Sequence, residues 1–321
     1  MRGQRFLDLL AIGRVSNLPT VWSNVLTGFL LAWIMGGGFW NRVGEMPPLL
    51  PLLLGTTFAY LFGTFLNDWK DAGFDNEHRP ERAIPSGRWS RSTIGLMSAG
   101  FALASLGCLF AAGSRQPIVP LLGAGLLSSI IVYTLLHKRT LLAIIPMGIC
   151  RSLLYLLGYC SAISPPVTNS THTPFNPLLI LAFMAFGILS YVAGLTLAAR
   201  YESGATELPF PRIILWILIF LCLLTHTWWW ISQHPSIPLL LCLPFLLWTS
   251  RSLFILRKSI PDFVSRALAG LCLLDLLAFA GIISLILHVD PLYSTHAPSL
   301  ALIPLSCFLF SILLQRIAPA T

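Results

Sequence analysis

The chain has 321 residues, of which 56% are hydrophobic and only 10% charged, with a formal net charge of +8. A water-soluble fold carries about a quarter charged residues, so this composition excludes that class and requires much of the surface to face lipid. The positive charge lies between apolar runs rather than on one continuous face, so it reflects membrane topology and needs no nucleic-acid partner.

In chain order the apolar segments are 16–36, 48–66, 93–113, 117–136, 141–162, 176–198, 211–231, 237–255, 267–287 and 299–314. Most approach the roughly 20 residues needed to cross a bilayer as a helix; the last is short enough to be interfacial. The first follows Arg14 without a small-residue cleavage site and reads as a retained helix. With the N-terminus in the cytoplasm and the chain alternating, the inside receives 17 of the 20 Lys and Arg, the outside Arg42 and Arg115, while Arg151 falls within a span. That is the positive-inside pattern, and a basic face toward anionic membrane lipid is compatible with it. The seven cysteines are scattered through the spans without ligand spacing and read as apolar thiols. No soluble domain is visible. The expectation is an all-α, polytopic transmembrane bundle over 1–321, with nine to ten helices around a central cavity and a cytoplasmic cap.

Two inside loops carry the informative polar residues. The first, 67–92, holds Asp68, Asp71, Asp75, Glu77 and Glu81, five of the twelve acids in the chain. If the second span's helix runs on past Leu66, Asp68, Asp71 and Asp75 stand at i, i+3 and i+7 and share one face. Three carboxylates so placed repel unless a cation sits among them. Hard oxygen donors without nearby His or Cys point to Mg²⁺, or Mn²⁺. A magnesium ion held by a few carboxylates completes its shell with phosphate oxygens, so a diphosphate at the membrane surface follows. Arg79, Arg82 and Arg88 are the candidate phosphate clamps, presented by a segment that Pro80 and Pro85 stiffen. A solvated loop of self-neutralising charges is the plainer reading, disfavoured by the spacing and the membrane context. The second loop, 199–211, carries Arg200, Tyr201, Glu202 and Glu207. Each loop follows an out-to-in span, as expected of two halves facing one cavity. Arg151 and Asp275 lie inside spans; such charges pair with each other or face a cavity, and Arg151 is also a candidate substrate contact.

The string Asn67-Asp68-x-x-Asp71-x-x-x-Asp75, followed by Arg79-Pro-Glu-Arg-Ala-Ile-Pro-Ser-Gly-Arg88, resembles the first aspartate-rich motif of the UbiA superfamily of intramembrane prenyltransferases. The opening Arg14…Leu18-Pro19-Thr20…Asn24 and the pair Tyr133…Lys138 resemble further family elements. The resemblance implies Mg²⁺-dependent transfer of a prenyl group from an isoprenyl diphosphate to an aromatic or other lipophilic acceptor. It implies catalytic roles for Asp68, Asp71 and Lys138, metal ligation by Asp68, Asp71 and Asp75, and substrate contacts from Asn67, Tyr133 and Asn24. The family's second motif is altered. Thr196 and Arg200 stand where two aspartates are expected, and Glu202 is the nearby acid left to help a metal. Either Arg200 contacts phosphate directly, in a one-metal enzyme, or the protein has lost ionisation chemistry and binds or moves a hydrophobic metabolite. The Leu195–Glu202 and Met147–Arg151 stretches resemble UbiA-like proteins of the EboC group, which favours an export or unusual acceptor role. A CDP-alcohol phosphotransferase is excluded, because Asp68–Asp75 does not supply its D-x-x-D-G-x-x-A-R pattern.

Overall fold

The computed structural model describes residues 2–35, 48–114, 116–163, 176–200, 213–231, 236–255, 259–289 and 297–318. Among them are eleven α-helices: α1 (Arg2–Ile12), α2 (Leu18–Met35), α3 (Leu49–His78), α4 (Arg91–Ala112), α5 (Ile118–Leu136), α6 (Ile144–Ala162), α7 (Pro177–Ala199), α8 (Ile213–Ile231), α9 (Ser236–Ile255), α10 (Ile260–Val289) and α11 (Leu302–Gln315). Within the described residues every apolar segment read from the sequence forms a helix, as a lipid environment demands when backbone groups must be satisfied within the segment. Among the described residues, eight helices are long and apolar enough to cross a bilayer, and α8 and α9 contain the shorter apolar stretches Ile213–Trp229 and Leu240–Ile255.

Two features differ from expectation. The segment considered for an interfacial position joins the 3₁₀ turn before it, and Ala297–Gln315 together reach spanning length. The amphipathic helix α1 had no counterpart in the apolar-run reading, because its apolar positions alternate with Arg2, Arg5 and Asp8. Its Ile12 packs with Phe65, Ala83 and Ile94, and Arg88 grips its Asp8 through two hydrogen bonds of 2.8 and 3.0 Å.

Sequence neighbours pack along the bundle: α3 on α4, α5 on α6, α6 on α7, α7 on α8 and α9 on α10. Closure comes from α10 and α11 against α2, and from α2 against α6. The last of these contacts is unusually close. A Cβ on Gly28 would collide with the Tyr155 carbonyl, and one on Gly158 with the Val25 carbonyl, so the two backbones touch where no side chain fits. Helix α10 runs through the interior: every residue from Leu271 to Ala280 is at most 2% exposed. A small crevice opens between α7, α8, α9 and α10, lined by Tyr191, Gly194, Thr249 and Phe263. Outward-facing leucines and phenylalanines, such as Leu96, Leu103 and Phe110 of α4, present the apolar exterior.

One end of the bundle gathers the polar groups. Arg14, just before α2, meets Asp68 near the end of α3. Arg200 at the end of α7 meets the turn after α5. Gln315 at the end of α11 meets Ser265 at the start of α10, and Ser311 of α11 reaches the Ser16 carbonyl. This is the acidic end.

Candidate active site at the acidic end

The helix α3 does continue past its apolar part, through Asn67 to His78. Asp68, Asp71 and Asp75 therefore share a face on a rigid support, and Asp71 and Asp75 are only 7% and 4% exposed. Arg79 stops the helix, with φ −143° and its amide on the Asp75 carbonyl; Pro80 cannot extend it. The segment then folds back in turns, closed by Trp89 N–H on the Ala83 carbonyl. Gly87 takes φ +73°, a conformation glycine adopts without a Cβ clash. Ser90 caps α4 by accepting from the Thr93 amide.

Each carboxylate has basic partners. Arg82 Nη1 donates to Asp75 Oδ2 at 3.0 Å and lies 3.7 Å from Asp68 Oδ1. Arg14 Nη2 lies 3.6 Å from the same Asp68 oxygen. Asp71 Oδ2 is approached by Lys138 Nζ at 3.1 Å, His137 Nε2 at 3.2 Å and Asn67 Nδ2 at 3.4 Å. Lys138 also sits over the Phe74 ring, 3.6 Å from its centroid.

These surroundings separate two acids that are one turn apart. Burial raises the Asp68 pKa, outweighing the opposing charges of Arg14 and Arg82, and Asp75 and Asp71 add like-charge repulsion. Burial also acts on Asp71, but hydrogen bonds and charge from His137 and Lys138 overcome it and hold its pKa below the usual carboxylate value. Asp68, with only long contacts to its arginines, is the acid best placed to gain from a further cation.

Arg14 reaches its place at a conformational cost. Its φ of 41° makes it the non-glycine residue with positive φ among the described residues, a left-handed conformation costing roughly 1–2 kcal/mol. In return its carbonyl accepts from Tyr60 Oη at 3.2 Å while its guanidinium turns to Asp68. Strain of this kind persists where the surroundings over-determine it, commonly at functional sites.

The donor set fits magnesium in part. It is made of hard carboxylate oxygens on one helix face. Among the described residues, no group of three or more His, Cys, Asp or Glu side chains is arranged to hold a metal ion by itself.

The model of the UbiA prenyltransferase family matches residues 21–267. The chain belongs to this family. No curated protein matches it. Among solved structures, one concerning digeranylgeranylglyceryl phosphate synthase in membranes is 16% identical, with a TM-score of 0.51, covering 97% of this chain and 98% of that one. A UbiA homolog from Archaeoglobus fulgidus bound to DMAPP and Mg²⁺ is 15% identical, with a TM-score of 0.42 and coverage of 93% and 98%. The same homolog bound to GPP and Mg²⁺ is 16% identical, with a TM-score of 0.41 and coverage of 93% and 99%. At such identities the likeness to the synthase is one of fold.

In this UbiA-family chain the structure brings together Asn67, Asp68, Asp71, Asp75, Arg82 and Lys138 from the sequence reading. Tyr133 stands one turn before His137, their rings 5.5 Å apart. Arg79 serves the helix end, and Arg88 is turned away, onto Asp8 and the Glu81 carbonyl. Arg200 Nη1 donates to the carbonyls of Thr140 at 2.7 Å and His137 at 3.4 Å. Glu202, with Tyr201 and Glu207, lies outside the described residues.

Asn24 and Arg151 form a separate site deeper in the bundle. Arg151 Nη1 donates to Thr20 Oγ1 and to Asn24 Oδ1, both at 3.0 Å. Asn24 Nδ2 donates to Asp275 Oδ2 at 2.9 Å, and Tyr155 Oη donates to Asp275 Oδ1 at 2.6 Å. The two intramembrane charges are therefore joined through Asn24. Tyr155 Oη also lies 3.3 Å from His226 Nε2, and Gly187 on α7 leaves the room that Thr225 and, beside it, His226 occupy.

Sequence reasoning missed His137 and Arg14 as members of the acidic site. His137 neighbours Lys138, and a turn that projects one side chain toward α3 also projects the next. Arg14 lies 54 positions before Asp68 in the sequence, so only the tertiary fold reveals their meeting.

Proposed function

We propose that the protein transfers a prenyl group from an isoprenyl diphosphate to an aromatic or other lipophilic acceptor, with Mg²⁺ at the acidic end. One observation carries this reading: three carboxylates on one face of α3, ringed by Arg14, Arg82, His137 and Lys138, at the end of an apolar bundle of the UbiA prenyltransferase family. Asp68 and Asp71, with Asp75 behind them, would hold the metal, with Glu202 as a further candidate ligand. When bound, the metal neutralises the leaving diphosphate and so favours ionisation of the allylic C–O bond. Lys138, Arg82 and Arg79 are the cations for the phosphate oxygens, with charge fixed before the reaction begins. Asn67 and Tyr133 border the same site and are assigned to substrate. Asn24 and Arg151, in the apolar interior, are assigned to the acceptor side, and the surrounding side chains keep water from the allylic cation. The positive-inside bias of the sequence supports a cytoplasmic N-terminus and acidic end.

A second reading keeps the site but not the turnover. Arg200 occupies the position where an acid is expected and is engaged with backbone carbonyls, which suits a protein that binds or moves a hydrophobic metabolite. The deciding experiment uses purified protein in nanodiscs with geranyl, farnesyl and geranylgeranyl diphosphate, alongside Asp68→Ala and Asp71→Ala. Mg²⁺-dependent diphosphate release that vanishes in both variants supports the transferase. Metal-dependent binding without release favours the carrier, and no binding in the wild type refutes both.

A further inference from the structure

Helix α5 ends at Leu136, and a helix end leaves carbonyls without intrahelical partners. Two carbonyls of the turn that follows, His137 and Thr140, receive the same Arg200 nitrogen at 3.4 and 2.7 Å. The planar, permanently charged guanidinium suits this position, since the carboxyl end of a helix is its negative pole. The same turn is fixed on its far side, where the Thr140 hydroxyl accepts from the Leu142 amide and starts the next 3₁₀ turn. Its side chains face the other way: His137 Nε2 and Lys138 Nζ both reach Asp71 Oδ2. Helix α6 packs on both α5 and α7, and Arg200 bridges their ends across it.

We propose that Arg200 is a positioning residue, tying the end of α7 to the turn after α5 and thereby setting Lys138 and His137 on Asp71. This rests on the reading of the acidic end as a diphosphate site. A cation here does by tethering what a second acidic motif would do through a metal: it holds the two halves of the site at a fixed separation. Arg200 acts through Lys138 and need not touch the substrate.

The test is a double-mutant cycle between Arg200→Ala and Lys138→Ala, read as affinity for farnesyl S-thiolodiphosphate with Mg²⁺ in nanodiscs. Arg200→Ala is expected to weaken binding roughly three- to fivefold, the upper scale of an exposed charged contact. In the Lys138→Ala background the same change should cost less than about twofold, because residues acting through one another are not additive. Arg200→Lys, which keeps the charge and one donor, should recover part of the loss. Independent, multiplying effects would mean that Arg200 contacts the diphosphate itself and would overturn the proposal, as would wild-type affinity in Arg200→Ala. Hydrogen exchange of the 137–143 amides decides the tether without substrate: faster exchange in Arg200→Ala supports it, and unchanged protection refutes it. A wild type that binds no analogue sinks the diphosphate reading and leaves the exchange result to judge the tether alone.

Discussion

Asp275→Asn is the sharpest test of how the bundle's interior is held. Asp275 is wholly buried, and its two oxygens accept from Asn24 at 2.9 Å and Tyr155 at 2.6 Å. Arg151, 9% exposed, is bound to the other end of the same Asn24 amide. Asparagine keeps one acceptor oxygen for Asn24 and turns its NH₂ toward Tyr155, whose hydroxyl must then accept instead of donate, so both charge-assisted bonds to the carboxylate are lost. A hydrogen bond to a charged group is worth about 1.5–3 kcal/mol. The guanidinium also loses its countercharge, bringing the expected cost to ~3–5 kcal/mol, the range for breaking a buried ion pair from one side. Equilibrium unfolding of purified protein in mixed micelles, with sodium dodecyl sulfate as denaturant, measures it. Arg151→Met combined with Asp275→Asn should recover most of the loss, since neither charge then remains buried alone. A cost near ~0.6 kcal/mol, the average for interhelical hydrogen bonds in a bilayer protein, would refute the charge argument. So would a double variant as unstable as the sum of the single ones.

Further predictions follow from other contacts. Gly28→Ala and Gly158→Ala should each cost at least about 1–3 kcal/mol by overpacking, read in the same unfolding assay, because the added methyl meets a carbonyl of the partner backbone. Arg88→Ala should release α1 and the 79–90 segment from each other, seen as faster tryptic cleavage after Arg82. The stability cost should be about 1–3 kcal/mol, because Arg88 is one-third exposed but the Asp8 carboxylate it leaves behind is only 6% exposed. Asp68→Asn should leave stability within about 0.5 kcal/mol of wild type, because its contacts are long, yet abolish Mg²⁺-dependent diphosphate affinity. Stability lost together with affinity would instead assign Asp68 a structural role.

How much was legible depended on the range over which each signal acts. The spans were readable because lipid imposes helix on any long apolar run. The shared face of Asp68, Asp71 and Asp75 was readable because it needs only helical periodicity. What the three-dimensional partners of those acids are was not. His137, Arg14 and the turn held by Arg200 come from segments remote in sequence, and no local pattern announces their meeting. The Arg151–Asn24–Asp275 chain was half visible: charges in spans demand partners, but the intervening amide follows from the α2–α6 contact. Helix α1 escaped because α-helical amphipathicity in a short polar segment is a weaker signal than a run of apolar residues.

The seam between α2 and α6 has a consequence for biogenesis. Asn24 is synthesised 251 residues before Asp275 and well before Arg151, so α2 waits in the membrane with its polar stripe unmatched while α3, α4 and α5 are made. Its partner then arrives carrying a buried cation that needs Asn24 at once. The glycine-to-backbone contact lets the two helices close face to face as soon as α6 is inserted, leaving Asp275 to complete the network four helices later. Assembly of this protein thus runs in two stages, with the first fixed by contour and the second by charge.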